Sequence, residues 1–291
     1  MTLNVVYDLK SAPVTFDFGT FLAFSDCLRQ LSGESDMNVS IIATGYRKQS
    51  PRDLSVSESE KASRIHGILT PLMAVCPTVS GFSVEYKERY DYQPAAPYST
   101  PYTVAKVGEL SIRGAEPRFM LAPDFALKVA PDFAVTLTPR CSRHFVERNC
   151  DLDSWYKFYE RLTASGLNVV VIPDRDNLEK FDEYSWNLYQ PAAWDISLRA
   201  AVYQKARMNI ISATGPAIVL FFSKKPFIIF DILAGGVFSR EHWAAMNGCE
   251  DGGKPDFLGD DQIITWTNST YNNLRDEFNR YRLPAWPEID L

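Results

Sequence analysis

The run Leu167-Asn-Val-Val-Val-Ile172 limits the fold of this chain more than any other feature. It is apolar at consecutive positions rather than alternate ones, so it reads as a strand covered on both faces, as strands are inside a parallel sheet. Its surroundings repeat the same logic. Strands at 133–138, 208–211, 227–230 and 262–266 alternate with helices at 153–165, 194–206, 216–222 and 270–282. Asp153 stands as an N-cap and Gly166 as a stop for the first of these helices, and Asp195 can cap the second. The first half carries a shorter version of the pattern, with strands at 3–7, 37–44 and 78–85 and helices at 20–31 and 58–75. Phe21, Phe24, Leu28 and Leu31 share one face of the 20–31 helix. Alternation of this kind predicts two α/β units, each built on an open parallel sheet.

Between them the character changes. Residues 86–101 are rich in Tyr and Pro, and residues 111–131 carry further Pro and Gly, so a loop-rich path is expected there. The expected division is an N-terminal Rossmann-like domain over 1–130, loop-rich connection included, and a C-terminal one over 131–291. A chain of 291 residues with 46% apolar content has the material for two such cores.

Charge narrows the partners. Thirty-six acidic against 30 basic residues leave a formal net charge of −6, which argues against broad affinity for nucleic acid or an anionic membrane. Five scattered cysteines with no CxxC pair suggest neither a zinc site nor a disulfide framework, and reduced thiols in the cytoplasm are expected. No basic-then-apolar leader is apparent, and the longest apolar run, residues 217–222, is too short to span a bilayer.

Local basic clusters point to chemistry nonetheless. Thr136-Leu-Thr-Pro-Arg-Cys-Ser-Arg-His-Phe-Val-Glu-Arg-Asn149 follows a strand and crowds Arg140, Arg143, His144 and Arg148 into one loop. Ligands of open α/β sheets sit beyond the carboxyl ends of the strands, and guanidinium groups suit bidentate recognition of phosphate. A solvated loop paired with Glu147 and Asp151 is the plainer reading. Ser212-Ala-Thr-Gly-Pro216 also follows a strand and opens a helix, so Ser212, Thr214 and Gly215 form a second anion candidate; Thr214 as a simple N-cap is the alternative. Arg199, in the first turns of its helix, either reaches the same ligand or pairs with Asp195 at i, i+4. Asp174-Arg-Asp176 resembles a metal-binding DxD, although a base or ribose contact is equally open there. After the first strand, Asp8 and Asp17 are candidates for a general base, with helix capping as the other role for Asp17. His66 and His242 read as structural, and no GxSxG, HExxH, P-loop or GxGxxG occurs.

Taken in order, Val135-Thr-Leu-Thr with Arg140, Arg143 and Arg148-Asn149, then Trp155-Tyr-Lys-Phe, Val169-Val-Val-Ile-Pro-Asp174, Trp194-Asp-Ile-Ser-Leu-Arg199 and Ser212-Ala-Thr-Gly215 resemble the donor-binding domain of GT-B glycosyltransferases of the fucosyltransferase or heptosyltransferase type. The resemblance covers roughly residues 133–231. It implies two facing Rossmann-like domains, acceptor in the first and nucleotide-diphosphate sugar in the second. It implies a donor grip by Arg140, Arg143, His144, Arg148, Asn149, Asp174, Arg199, Ser212, Thr214 and Gly215. No cofactor and no divalent metal beyond the sugar-nucleotide substrate is expected. The implied activity is transfer of a sugar to a hydroxyl of a glycan or small molecule. A nucleotide-sugar epimerase on the same fold and a non-catalytic sugar-nucleotide or glycan binder are the alternatives. The sugar, base and oligomeric state stay open.

Overall fold

A computed structural model describes residues 1–48, 51–87, 103–236, 239–284 and 286. Two parallel sheets organise it. The first has three strands in the order β1-β2-β3, at Thr2–Asp8, Asp36–Ile42 and Val79–Glu85. The second has five in the order β5-β4-β6-β7-β8, where β4 is Val135–Thr138, β5 Val169–Val171, β6 Met208–Ser212, β7 Phe227–Phe230 and β8 Gln262–Ile264. All pairings within both sheets are parallel, with Val135 opposite both Val169 and Met208. The α/β class and the paired parallel sheets expected from the apolar runs are therefore present. Strands β4 to β7 are buried along their whole length; β5 and β7 are apolar throughout, while polar residues of β4 and β6 meet each other, Thr136 Oγ1 donating to Asn209 Oδ1 at 2.7 Å.

Several helices differ from the sequence reading. The 58–75 helix is α-helical at Glu58–Arg64 and Thr70–Ala74 but winds as a π-helix over Ile65–Leu69. The expected 194–206 helix is two pieces, Pro191–Trp194 and Ile196–Lys205, broken at Asp195, whose carboxylate caps the second piece by accepting from the Ser197 and Leu198 amides. The cap of the Leu152–Ala164 helix is Asp151 rather than Asp153. Helices form at Val104–Ile112, between the two Pro-rich stretches, and at Asp124–Val129, inside the later stretch. Pro123 sits at the N-cap of the second, where a missing amide hydrogen costs nothing, so the proline taken as a breaker is a helix start. The expected loop at 86–101 lies almost wholly outside the described residues.

The two halves meet closely. One apolar cluster contains Val5, Leu22 and Ile41 from the first sheet region together with Ile211, Leu220 and Phe222 from the second. Gly19, in the helix Phe18–Leu31, leaves room for Ile218: a Cβ there would stand 2.7 Å from its Cγ1. Gly215 does the same for the ring of Phe16, which a Cβ would overlap. The Asp124–Val129 helix packs on the Ile196–Lys205 helix, and Lys205 Nζ donates to the Ala130 carbonyl at 2.6 Å. A second cluster around Trp155, Phe158, Phe181 and Phe278 fills the other face of the larger sheet.

Candidate functional site

In the larger sheet the chain leaves β4, returns as β5 on one side and as β6 on the other. That reversal opens a crevice beyond the carboxyl ends of β4 and β6. A cavity of about 590 Å³ occupies it, and its opposite wall comes from the first half, through Tyr7 at the end of β1, the Pro13–Asp17 loop, Arg47 and Arg64. Arg47, Arg64, Arg140, Arg148, Arg175 and Arg199 line it, against Asp17, Asp174 and Asp176. In a chain with net charge −6, this is a local concentration of positive charge.

The loop after β4 is held in shape by its own side chains. Asn149 accepts from the Ser142 amide through Oδ1 and donates to the Ser142 carbonyl through Nδ2, both at 2.9 Å. Phe145 takes a left-handed conformation (φ 55°), rare for a bulky residue, which turns the chain into the short helix Val146–Arg148. Arg140 is buried to 8% exposure, donates Nη2 to the His144 carbonyl at 2.6 Å, and keeps a buried Nε without a partner. An unmet guanidinium N–H carries its full desolvation cost unless an anion arrives to satisfy it. Arg148 reaches across to the Ala213 carbonyl at 3.0 Å, tying this loop to the one after β6. His144 Nε2 stands 3.4 Å from Glu60 of the first half, and Glu60 holds Arg64 at 2.6 Å, so a polar bridge crosses the cavity rim.

Asp17, Arg140, His144, Arg148, Asp174, Arg199, Thr214 and Gly215 all line the cavity, as do Arg47, Arg64 and Arg175, which the sequence reading passed over. Their signal was weak because Arg47 and Arg64 lie in the first half, far in sequence from the arginine loop. Asp17 occupies the N-cap position of its helix but makes no capping bond; its Oδ2 accepts the Thr15 hydroxyl at 2.8 Å. Asp174 is half-buried, and burial raises its carboxyl above the usual range. Asp176 adds to the rise, while Arg199 and Arg140 oppose it.

Five further candidates are placed or engaged differently. Asp8 does not line the cavity; it closes a tight turn by accepting from the Lys10 amide at 2.9 Å. Arg143 points outward, 67% exposed, toward Asn177 and Glu179. Asn149 shapes the arginine loop instead of lining the site. Ser212 is fully buried at the end of β6, beside the Cys150 thiol, which burial and the Asp231 carboxylate push up to about 12. Arg199 lines the cavity, yet its guanidinium is engaged by the Ala192 carbonyl, the Tyr203 hydroxyl and the Pro173 carbonyl. It thereby positions the turn that presents Asp174, and it does not pair with Asp195. The helix after Gly215 is also only five residues long, Ala217–Phe221, too short to supply much of a dipole. Among the described residues, no group of three or more His, Cys, Asp or Glu side chains is placed to hold a metal ion. Nor is any helix among them long and apolar enough to cross a membrane.

No protein-family profile matches the sequence, and neither does any curated protein. The fold is similar to that of E. coli heptosyltransferase WaaC solved with ADP, with a TM-score of 0.50 and 12% identity over 97% of this chain and 100% of that one. A glycosyl transferase family 9 structure from Veillonella parvula aligns at a TM-score of 0.48 and 10% identity, over 96% of this chain and 88% of that one. At this identity the first likeness establishes a shared GT-B-like α/β fold, in agreement with the order of motifs in the second half.

Proposed function

We propose that the chain transfers a sugar from a nucleotide-diphosphate donor to a hydroxyl acceptor, with the donor seated at the crevice between β4 and β6. The observation that carries this reading is Arg140: a buried guanidinium with an unmet Nε, next to Arg148, in a cavity that also presents Asp17 from the facing half. Arg140 and Arg148 bind the diphosphate and stabilise the charge it gains as the bond from its oxygen to the sugar's anomeric carbon breaks. Asp17 accepts the proton of the acceptor hydroxyl as that oxygen forms the new bond to the anomeric carbon. The electron pair of the broken bond leaves with the nucleoside diphosphate. Residues 131–291 act as the donor-binding unit and residues 1–130 as the acceptor-binding unit. Arginine charge serves the leaving group, and no divalent metal is needed.

The experiment is an incubation with ADP-, GDP-, UDP- and CDP-sugars, with nucleoside diphosphate release followed by mass spectrometry in the presence and absence of EDTA. Release that survives EDTA supports the reading. Absence of both binding and release across all four bases would sink it, and release abolished by EDTA would shift attention to Asp174 and Asp176.

A further inference from the structure

A second cavity, about 530 Å³, adjoins the first and shares Gly67 and Trp194 with it. Gly67 lies within the π-helix Ile65–Leu69, a local winding often found at functional positions. Arg175 crosses this junction from the other half. Its Nη1 stands 3.6 Å from where a Gly67 Cβ would be, and its guanidinium sits 6.0 Å from the centre of the Trp194 ring. Trp194 is nonetheless 59% exposed, and Phe82, which also lines the second cavity, is 54% exposed.

The two cavities differ in chemistry. Six arginines line the first, whereas neither lysine nor arginine lines the second. Its one carboxylate, Asp195, already caps the Ile196–Lys205 helix. What remains is an apolar surface from Met73, Phe82 and Trp194, interrupted by Ser197, His66 and the hydroxyls of Thr70 and Ser80, which donate to the Ile65 and Met37 carbonyls and keep lone pairs to accept from a ligand. Such a lining is wrong for phosphate or carboxylate, which would lose hydration without gaining a counter-charge. It suits a molecule with apolar faces and many hydroxyls, and its volume falls in the usual range of roughly 300–1,000 Å³ for ligand sites. A pyranose ring fits that description, with C–H groups against an aromatic face and hydroxyls toward Ser, Thr and His.

We propose that this second cavity binds the uncharged sugar residues of an oligosaccharide acceptor that lie behind the sugar being extended, with Trp194 and the Gly67 turn at the passage between the two sites. The acceptor is then a glycan several residues long rather than a small alcohol. The proposal rests on the glycosyl-transfer reading above and narrows it.

The test uses the whole chain and two variants confined to the second cavity. Phe82→Ala removes one aromatic wall, and Ala74→Trp fills the space. Maltotriose, cellotriose and chitotriose are titrated by saturation-transfer NMR, with ADP, GDP, UDP and CDP titrated in parallel as the donor-site control. The expected result is contact with at least one trisaccharide at millimolar concentration, weakened about three- to tenfold by Phe82→Ala and lost in Ala74→Trp. Retained nucleoside diphosphate binding in both variants shows that they are folded. If a nucleoside diphosphate binds but no trisaccharide does, or if Ala74→Trp leaves trisaccharide binding intact, the proposal is overturned while the donor-site reading stands. Decyl maltoside is titrated in the same way, and contact through its alkyl chain alone, with none to its sugars, overturns the proposal in favour of a lipid. Failure of every nucleoside diphosphate to bind removes the parent reading itself.

Discussion

Replacing Gly215 by alanine is the sharpest probe of how the two halves meet. The glycine has no positive φ, so its backbone accepts alanine without strain, and the whole cost is steric. The new Cβ would overlap Cδ2 of Phe16 and stand 3.0 Å from Cγ and 3.2 Å from Cε2. The ring cannot yield at one atom alone, because all three belong to one rigid plane. Overpacking of this kind costs about 1–3 kcal/mol, which lowers the melting temperature by a few degrees in a chain of this size. The assay is a double-mutant cycle on urea denaturation midpoints. Phe16→Ala destabilises on its own, but in that background Gly215→Ala is expected to cost almost nothing, giving a coupling of about 1–3 kcal/mol. An equal penalty for Gly215→Ala in both backgrounds refutes the contact, and with it the view that Gly215 is glycine because the first half packs against it.

Other outcomes follow from the cavity. Asp17→Asn is expected to reduce sugar transfer by about 10²- to 10⁴-fold while leaving nucleoside diphosphate affinity unchanged by calorimetry; full turnover in this variant removes Asp17 as the base. Asp174 holds its proton more tightly in the folded chain than in the unfolded one, so its ionised form costs stability above the folded-state pKa, and that cost disappears below the unfolded value. Thermal melts of Asp174→Asn should therefore show a gain at neutral pH that fades as the pH falls through the carboxylate range; a gain independent of pH contradicts the assignment. Arg143→Ala, which cuts only exposed contacts to Asn177 and Glu179, is expected to leave nucleotide binding as it was in the same calorimetric titration.

The larger sheet was legible because burial on both faces leaves unbroken apolar runs in β5 and β7, and because β4 and β6, though interrupted by Thr136, Thr138 and Asn209, alternate with helices in the same rhythm. The same rule placed the arginine loop at the carboxyl end of a strand, where Arg140 and Arg148 indeed line the cavity. What the pattern does not encode is the direction of a side chain within a loop. Arg140 and Arg143 are three residues apart, yet one is buried in the site and the other is held outward by Asn177 and Glu179. Asn149 looked like a ligand because it is polar and follows Arg148; its two bonds to Ser142 are invisible until the loop closes. The 212–215 turn reads as an anion cradle through Ser212, Thr214 and Gly215, of which Thr214 and Gly215 line the cavity. Ser212 is instead buried by its strand, and Gly215 is required by Phe16, nearly 200 residues away in sequence. Arg47 and Arg64 were missed for the same reason: they reach the site only because the two halves pack together.

In the proposed donor site, Arg140 and Arg148 hold a diphosphate at the crevice between β4 and β6. Isothermal titration of nucleoside mono- and diphosphates into the wild-type chain and into Arg148→Ala tests it most directly. One diphosphate is expected to bind more tightly than its monophosphate, and Arg148→Ala to weaken the diphosphate by about tenfold or more, the worth of a charge-assisted hydrogen bond of roughly 1.5–3 kcal/mol, with a smaller effect on the monophosphate. Equal affinity for mono- and diphosphate, unchanged by Arg148→Ala, would contradict it.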